Sequence, residues 1–317
     1  MYLGIYNESA SNENGFMQFY SFHKEKDKSI LYYSFKDLFF YVPFRLIKIF
    51  KVKFLIPKVK FNCIIDTLII DSSPWTVIYY KAIIKLFNPK TIIYRQSDPI
   101  GEISGSEQLL KAEKSLISIS NSVFFVNNLL KKEYKNISRH GIVIRNPQKT
   151  TSFSKRNKEK EFKAIYYGKL QIDYEYINEL AKLNPNLKIE IFGNYFQSKE
   201  TPSNLIFKGF QPLEHIYKSL ANSMFFLLPY SDENPVVKYL GVSSKIVDAI
   251  NNRCLILSNK LRNGLDEEGL VYAYGIKKID VLMYENSDYQ NNIRLVENEF
   301  SDNFLYSSWL KNVANHE

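Results

Sequence analysis

The chain has 317 residues, 45% hydrophobic and 24% charged, with 42 Lys and Arg against 33 Asp and Glu for a formal charge of +9. That length accommodates two domains or one large one with a substantial core, and the lack of low-complexity tracts excludes a fibrous or disordered chain. The basic excess points to an anionic partner: nucleic acid, anionic lipid or the phosphates of a nucleotide sugar. Cys63 and Cys254 lie in apolar segments without a ligand pattern, so a reducing cytosol is expected and a metal site is not. The opening twenty residues carry Asn, Glu and Ser rather than an apolar core, so no signal peptide is expected. No run of 18 apolar residues occurs, so no membrane span is expected either.

Residues 35–61, FKDLFFYVPFRLIKIFKVKFLIPKVKF, interleave large apolar side chains with Lys36, Arg45, Lys48, Lys51, Lys53, Lys58 and Lys60, with Asp37 the one acid. A basic, aromatic-rich amphipathic segment suits the headgroup region of an anionic membrane, with Arg45, Lys48, Lys51 and Lys53 as the contacts. A core helix with a solvated basic face is the plainer alternative, and Pro43 and Pro57 interrupt the segment in both cases. Strands are then predicted over 66–72, 90–98 and 122–127, with helices over 74–87 and 106–117 between them. Hydrophobicity collapses and charge rises toward residue 161, which marks a linker over 149–161. The division is an N-terminal domain over 1–148 and a C-terminal domain over 162–317, whose last helix packs back on the first domain.

The second half is tidier. Strands are predicted at 162–168, 187–194, 204–210, 223–230 and 254–258, and helices at 174–184 and 213–222. A further helix opens at Ser243-Ser244-Lys245. Strands alternating with helices make a doubly wound parallel sheet. Two such α/β halves are expected to face a cleft at the carboxyl ends of both sheets, where folds of this kind bind ligands.

The chain lacks a G-x-x-x-x-G-K-[ST] loop, a G-x-G-x-x-G turn, H-E-x-x-H and G-x-S-x-G, and its four histidines are scattered. Carboxylates at strand ends remain. Arg95, Asp98 and Glu102 follow a buried strand. Asp98 is a candidate general base, or a turn residue or helix cap ahead of Pro99. Ser243, Ser244 and Lys245 stand at the positive end of a helix, where backbone N–H groups, hydroxyls and an ammonium make a diphosphate cradle. A plain serine cap is the alternative. Lys169 is placed to approach the same phosphates, and Asp248, a turn further, to accept from a ribose or sugar hydroxyl. Asp232 and Glu233 look like a metal pair, but nothing nearby completes a shell.

Taken in order, these residues resemble the GT-B glycosyltransferases, and among them the xanthan-type glucuronosyltransferase of bacterial exopolysaccharide assembly. The likeness runs from about residue 64 to 260. It rests on DTLIIDSSPWTVIYYKAIIKLFNPKTIIYRQSD, ending in a Y-R-x-S-D element, and on FLLPYSDENPVVKYLGVSSK, similar to A-P-Y-x-x-E-x-x-P-x-Y-L-x-x-S-S-M-K. The resemblance implies two Rossmann-like domains, Asp98 as catalytic base, Tyr230 and Lys245 as donor contacts, and Asp248 on the ribose side. The family's methionine before the lysine is absent here. A donor-contacting glutamate of the family is replaced by Phe210 with Gln211 beside it, and G-x-P after the helix reads Asn252-Arg253-Cys254. Retaining relatives carry E-x7-E before this helix and this chain does not, so an inverting transfer is expected.

The resulting expectation is a metal-independent, cofactor-free transfer of a sugar, glucuronate in the resembled family, from a UDP-sugar to a lipid-linked saccharide. The enzyme would sit peripherally on the inner face of a bacterial cell membrane, without a nucleic-acid partner, in exopolysaccharide or capsule synthesis. Two alternatives keep the fold: an inactive GT-B scaffold or partner subunit, and a nucleotide-sugar epimerase.

Overall fold

The computed structural model describes residues 2–6, 30–41, 55–58, 60, 64–145, 160–196, 200–233, 235–260, 263–285 and 289–300. The chain divides into two compact units, 1–148 with 300–317, and 149–299.

The first unit is built on a parallel sheet in the order β2-β1-β5-β6-β7-β8. Its strands are β1 (Tyr2–Tyr6), β2 (Ile30–Ser34), β5 (Thr67–Asp71), β6 (Thr91–Gln96), β7 (Ser122–Phe125) and β8 (Gly141–Val143). Every residue of β5 and β7 is buried, as expected of strands covered on both faces by crossover helices. Strands β1 and β2 lie outside the sequence expectation: Tyr2–Tyr6 is short, and Gly4 interrupts its apolar run. Nonetheless β1 pairs with both β2 and β5, so the order of the sheet reverses there.

Residues 35–61 do not form one continuous core helix in their described part. Phe35–Leu38 is a single helical turn (α1), capped by Ser34. Strand β3 (Phe39–Tyr41) then pairs antiparallel with β4 (Leu55–Pro57). Consecutive aromatics favour extended backbone. The alternation is visible in burial, with Phe39 1% exposed beside Phe40 at 58%. The Lys58 ammonium lies 4.7 Å over the Phe40 ring. The candidate membrane contacts Arg45, Lys48, Lys51 and Lys53 lie outside the described residues.

Helix α2 (Pro74–Phe87) starts with a reciprocal capping box between Ser73 and Thr76 and has Pro74 in its first turn, where a missing N–H costs nothing. It ends at Asn88 in the left-handed region. A short helix α3 (Ile100–Ile103) follows β6, then α4 (Glu107–Ile119), capped by Ser106, and α5 (Asn128–Tyr134), capped by Asn127. The Arg145 guanidinium stacks 5.1 Å from the Phe300 ring.

The second unit carries a parallel sheet in the order β11-β10-β9-β12-β13-β14. The strands are β9 (Glu161–Tyr167), β10 (Lys188–Phe192), β11 (Leu205–Gly209), β12 (Ser223–Leu228), β13 (Leu255–Ser258) and β14 (Ala273–Tyr274). Sheet order reverses between β9 and β12, the crevice where open α/β sheets take ligands. Helices α6 (Tyr174–Leu183, capped by Asp173) and α7 (Leu213–Asn222) match the sequence expectation. A 3-10 turn, Pro235–Tyr239, precedes α8 (Ser244–Asn251). Then come α9 (Asn263–Glu267), α10 (Val281–Glu285) and α11 (Tyr289–Glu299). Just ahead of β9, the Lys160 ammonium donates to the carbonyls of Ser223 at 2.7 Å, Asn252 at 2.6 Å and Ala221 at 3.4 Å.

Candidate functional site

Two groups of the predicted residues assemble, one in each unit. In the second unit the group gathers at the carboxyl end of β9. Ser243 occupies the N-cap position of α8, but its side chain makes no capping hydrogen bond. Its Oγ is buried and has no hydrogen-bond partner, so the plain serine cap does not form. The first-turn N–H groups of a helix have no acceptor within the helix, and here the N-cap side chain supplies none.

Lys245, in that first turn, folds its ammonium back against Gly168 just after β9. A Cβ built on Gly168 would stand 2.9 Å from Lys245 Nζ and 2.4 Å from the Tyr166 hydroxyl. The ammonium also lies 5.8 Å from the Tyr167 ring centroid. No carboxylate pairs with it among the described residues. Its pKa is held below the ordinary lysine value, first by burial and then by the Lys169 ammonium. Lys169 is itself exposed beside the same turn. Two cations kept close without an anion between them form an electrostatically unsatisfied pair.

Asp248 cannot neutralise them, because its carboxylate is engaged elsewhere. Oδ2 accepts from the Tyr167 hydroxyl at 2.8 Å and from the Tyr217 hydroxyl at 3.4 Å. Burial raises its carboxyl, and the two hydroxyls oppose that. Tyr230 is 3% exposed. Its ring packs edge-on against Tyr166, and its backbone bridges to Ile172, so it supports the turn from below. Gln211 is exposed in the turn after β11, donating to the Lys208 carbonyl at 3.0 Å and lying 3.4 Å from His215 Nδ1. Sequence reasoning missed Tyr167 and Tyr217. Tyr167 immediately precedes the turn glycine, which was the available signal.

In the first unit the group stands at the carboxyl ends of β5 and β6. Arg95 is 1% exposed and Asp71 4%, and Arg95 Nη1 donates to Asp71 Oδ1 at 2.5 Å. Burial pushes the Asp71 carboxyl up to about 6, with the Arg95 guanidinium pulling against it. Arg95 therefore braces the strand ends from within. Above it, Ser72 Oγ accepts from the backbone N–H of Ser97 at 3.0 Å and of Asp98 at 3.1 Å.

Asp98 reaches solvent, and its carboxylate accepts no hydrogen bond among the described residues. Pro99, not Asp98, is the N-cap residue of α3, and no side chain caps that helix, so Asp98 is not spent as a cap. The protein packed against its inner side raises its carboxyl, and the charge of Arg95 opposes the rise. Glu102 lies half-buried on α3. Among the described residues no group of three or more His, Cys, Asp or Glu is arranged to hold a metal ion.

The sequence matches no protein-family model and no curated protein. The fold does have solved counterparts. HepE of Anabaena, crystallised with UDP and glucose, superposes at a TM-score of 0.71 with 11% identity, covering 99% of each chain. Sucrose-phosphate synthase from Thermosynechococcus elongatus gives 0.63 at 8% identity, over 99% of this chain and 98% of that one. A glycosyltransferase from Rickettsia africae gives 0.55 at 12% identity, again over 99% and 98%. At such identities the likeness defines the fold. It is GT-B, with two Rossmann-like domains.

Proposed function

We propose that the protein is an inverting, metal-independent glycosyltransferase that moves a sugar from a UDP-sugar to a lipid-linked saccharide in bacterial surface polysaccharide synthesis. The observation that carries the reading is the pair Lys245 and Lys169 beside the uncapped start of α8, where no carboxylate among the described residues pairs with either ammonium. A diphosphate supplies an anion for both, and helix N-termini with lysines are established phosphate sites. HepE, which shares the fold, is crystallised with UDP and with UDP-glucose, in keeping with a uridine nucleotide. The sugar itself, glucuronate in the resembled family, is carried by the resemblance alone.

In the proposed reaction the acceptor hydroxyl gives its proton to Asp98 as its oxygen attacks the anomeric carbon. The bond from that carbon to the diphosphate breaks, and UDP leaves with the electron pair. Lys245, Lys169 and the α8 N–H groups stabilise the charge growing on the departing diphosphate. The raised carboxyl of Asp98 brings its pKa closer to neutral pH, which strengthens it as a base. Asp248, held by Tyr167 and Tyr217, presents its remaining oxygen to the ribose. Attachment through Arg45, Lys48, Lys51 and Lys53 of the basic segment 35–61 would bring the enzyme to an acceptor anchored in the membrane.

The test is Asp98→Asn beside wild type, with UDP binding and UDP release from UDP-glucose and UDP-glucuronate measured in parallel. The expected outcome is unchanged UDP affinity with kcat lowered ~10²–10⁴-fold. Failure of the wild-type chain to bind UDP would remove the donor site, and full turnover by Asp98→Asn would remove the base.

A further inference from the structure

Helix α4 turns Leu109, Glu113, Leu116 and Ile117 toward the core, so an acid occupies a position whose spacing calls for an apolar side chain. Glu113 is 0% exposed. No cation pairs with it among the described residues. Hydrogen-bond donors converge on it instead. The Tyr94 hydroxyl at 2.6 Å and the Gln96 amide at 3.0 Å donate to Oε1, and the Gly101 backbone N–H at 2.7 Å donates to Oε2.

A buried carboxylate is a poor device for stability alone, because an apolar side chain of similar volume commonly serves as well or better. What Glu113 supplies, and leucine would not, is attachment of the neighbouring backbone. A second observation points the same way. A Cβ on Gly101 would stand 2.5 Å from Leu110 Cα and 3.0 Å from Glu113 Oε2, so the turn rests directly on α4. Asp98 lies two residues after Gln96 and three before Gly101, and one carboxylate holds the chain on both sides of it.

We propose that Glu113 is a positioning residue that fixes the Asp98 carboxylate by clamping the chain at Gln96 and Gly101 to helix α4. The proposal rests on the reading of Asp98 as base. Tyr94 and Gln96 end the strand that leads into the turn, and Gly101 sits on the short helix that leaves it. Losing the clamp frees the turn, and Glu113 is none of the residues assigned to the donor.

The experiment uses the full chain with Glu113→Gln, Glu113→Leu and Asp98→Asn, and the double variant Asp98→Asn with Glu113→Leu. UDP affinity, UDP release from UDP-glucose, and the Asp98 carboxyl titration by carbon NMR are measured. Glu113→Gln and Glu113→Leu should keep UDP affinity and lower kcat about 10–100-fold, as a misplaced catalytic group does. The Asp98 titration midpoint should move in both. The double variant should be no slower than Asp98→Asn alone, because the two act through one group. Glu113→Asp, which keeps the charge on a shorter arm, should fall between wild type and Glu113→Gln.

An unmoved Asp98 titration in the folded variants overturns the clamp, whether or not the wild type turns over with the donor offered. Additive losses in the double variant overturn it too, since a merely structural role predicts them. Full turnover by Asp98→Asn is a separate result, which removes the base and with it the catalytic purpose of the clamp.

Discussion

Lys245 is half-buried beside a second ammonium, and that conflict has a measurable sign. Its folded pKa lies below the ordinary lysine value, so the folded state is penalised while the ammonium is charged. Stability is regained as pH rises through the lowered value. Lys245→Met should therefore raise the melting temperature of the ligand-free protein, by roughly 2–4 °C for a gain of about 1 kcal/mol. The same change should weaken UDP binding about 10–100-fold, the loss of a charge-assisted hydrogen bond of ~1.5–3 kcal/mol. Calorimetry with and without UDP checks both halves, and a variant that loses stability while keeping affinity would refute the site. Asp71 carries the opposite lesson. Its folded pKa of about 6 exceeds the unfolded value of 3.8, so the folded protein keeps a proton that the unfolded chain has released. Stability contributed by this group falls as pH rises through that window and is constant above it. Urea midpoints across the window should show this slope in wild type and lack it in Asp71→Asn.

The turn that follows β9 shows how an element's end can decide chemistry made by another element. Gly168 leaves room for both the Tyr166 hydroxyl and the Lys245 ammonium where a methyl group would collide with each. Gly168→Ala should destabilise the protein by about 1–3 kcal/mol through overpacking and should weaken UDP binding by displacing Lys245. Urea unfolding and UDP titration of the same variant read the two effects. That turn also marks the limit of what could be read without coordinates. The helix over 213–222 and the strands that end at Tyr167 and Leu228 were legible to within two residues because apolar periodicity and turn residues agreed. Strand β1 was not, since five residues with a central glycine carry too little pattern for β propensity to register. The serines ahead of α8 were legible as a helix start, but their failure to cap is a matter of rotamer and burial. Glu113 stayed hidden for a related reason: a lone acid inside a helical pattern reads as a surface position until its donors are seen. Asp98 was visible as a strand-end carboxylate, and only the structure separates it from the cap it resembled.

At the scale of the whole molecule the formal charge of +9 is uneven, and residues 42–54 hold four of the basic side chains without an acid. Replacing Arg45, Lys48, Lys51 and Lys53 with Gln should weaken attachment to anionic liposomes by about 1 kcal/mol for each charge near the surface. Wild-type attachment should also loosen as salt shortens the screening length. Vesicle sedimentation measures both, and a wild-type chain indifferent to anionic vesicles would withdraw the membrane assignment. Composition misleads near the start of the second unit. Lys160 lies in the charged run RNKEKE and reads as spacer, yet its ammonium ties together the carbonyls of Ala221, Ser223 and Asn252. It works as a rivet, fastening the edge where one strand begins and a helix ends. Anyone cutting the chain to obtain the second unit by itself therefore has a chemical landmark. A fragment that starts at Glu161 leaves three carbonyl oxygens without this ammonium, whereas one that keeps Lys160 retains it and is expected to unfold at the higher urea concentration.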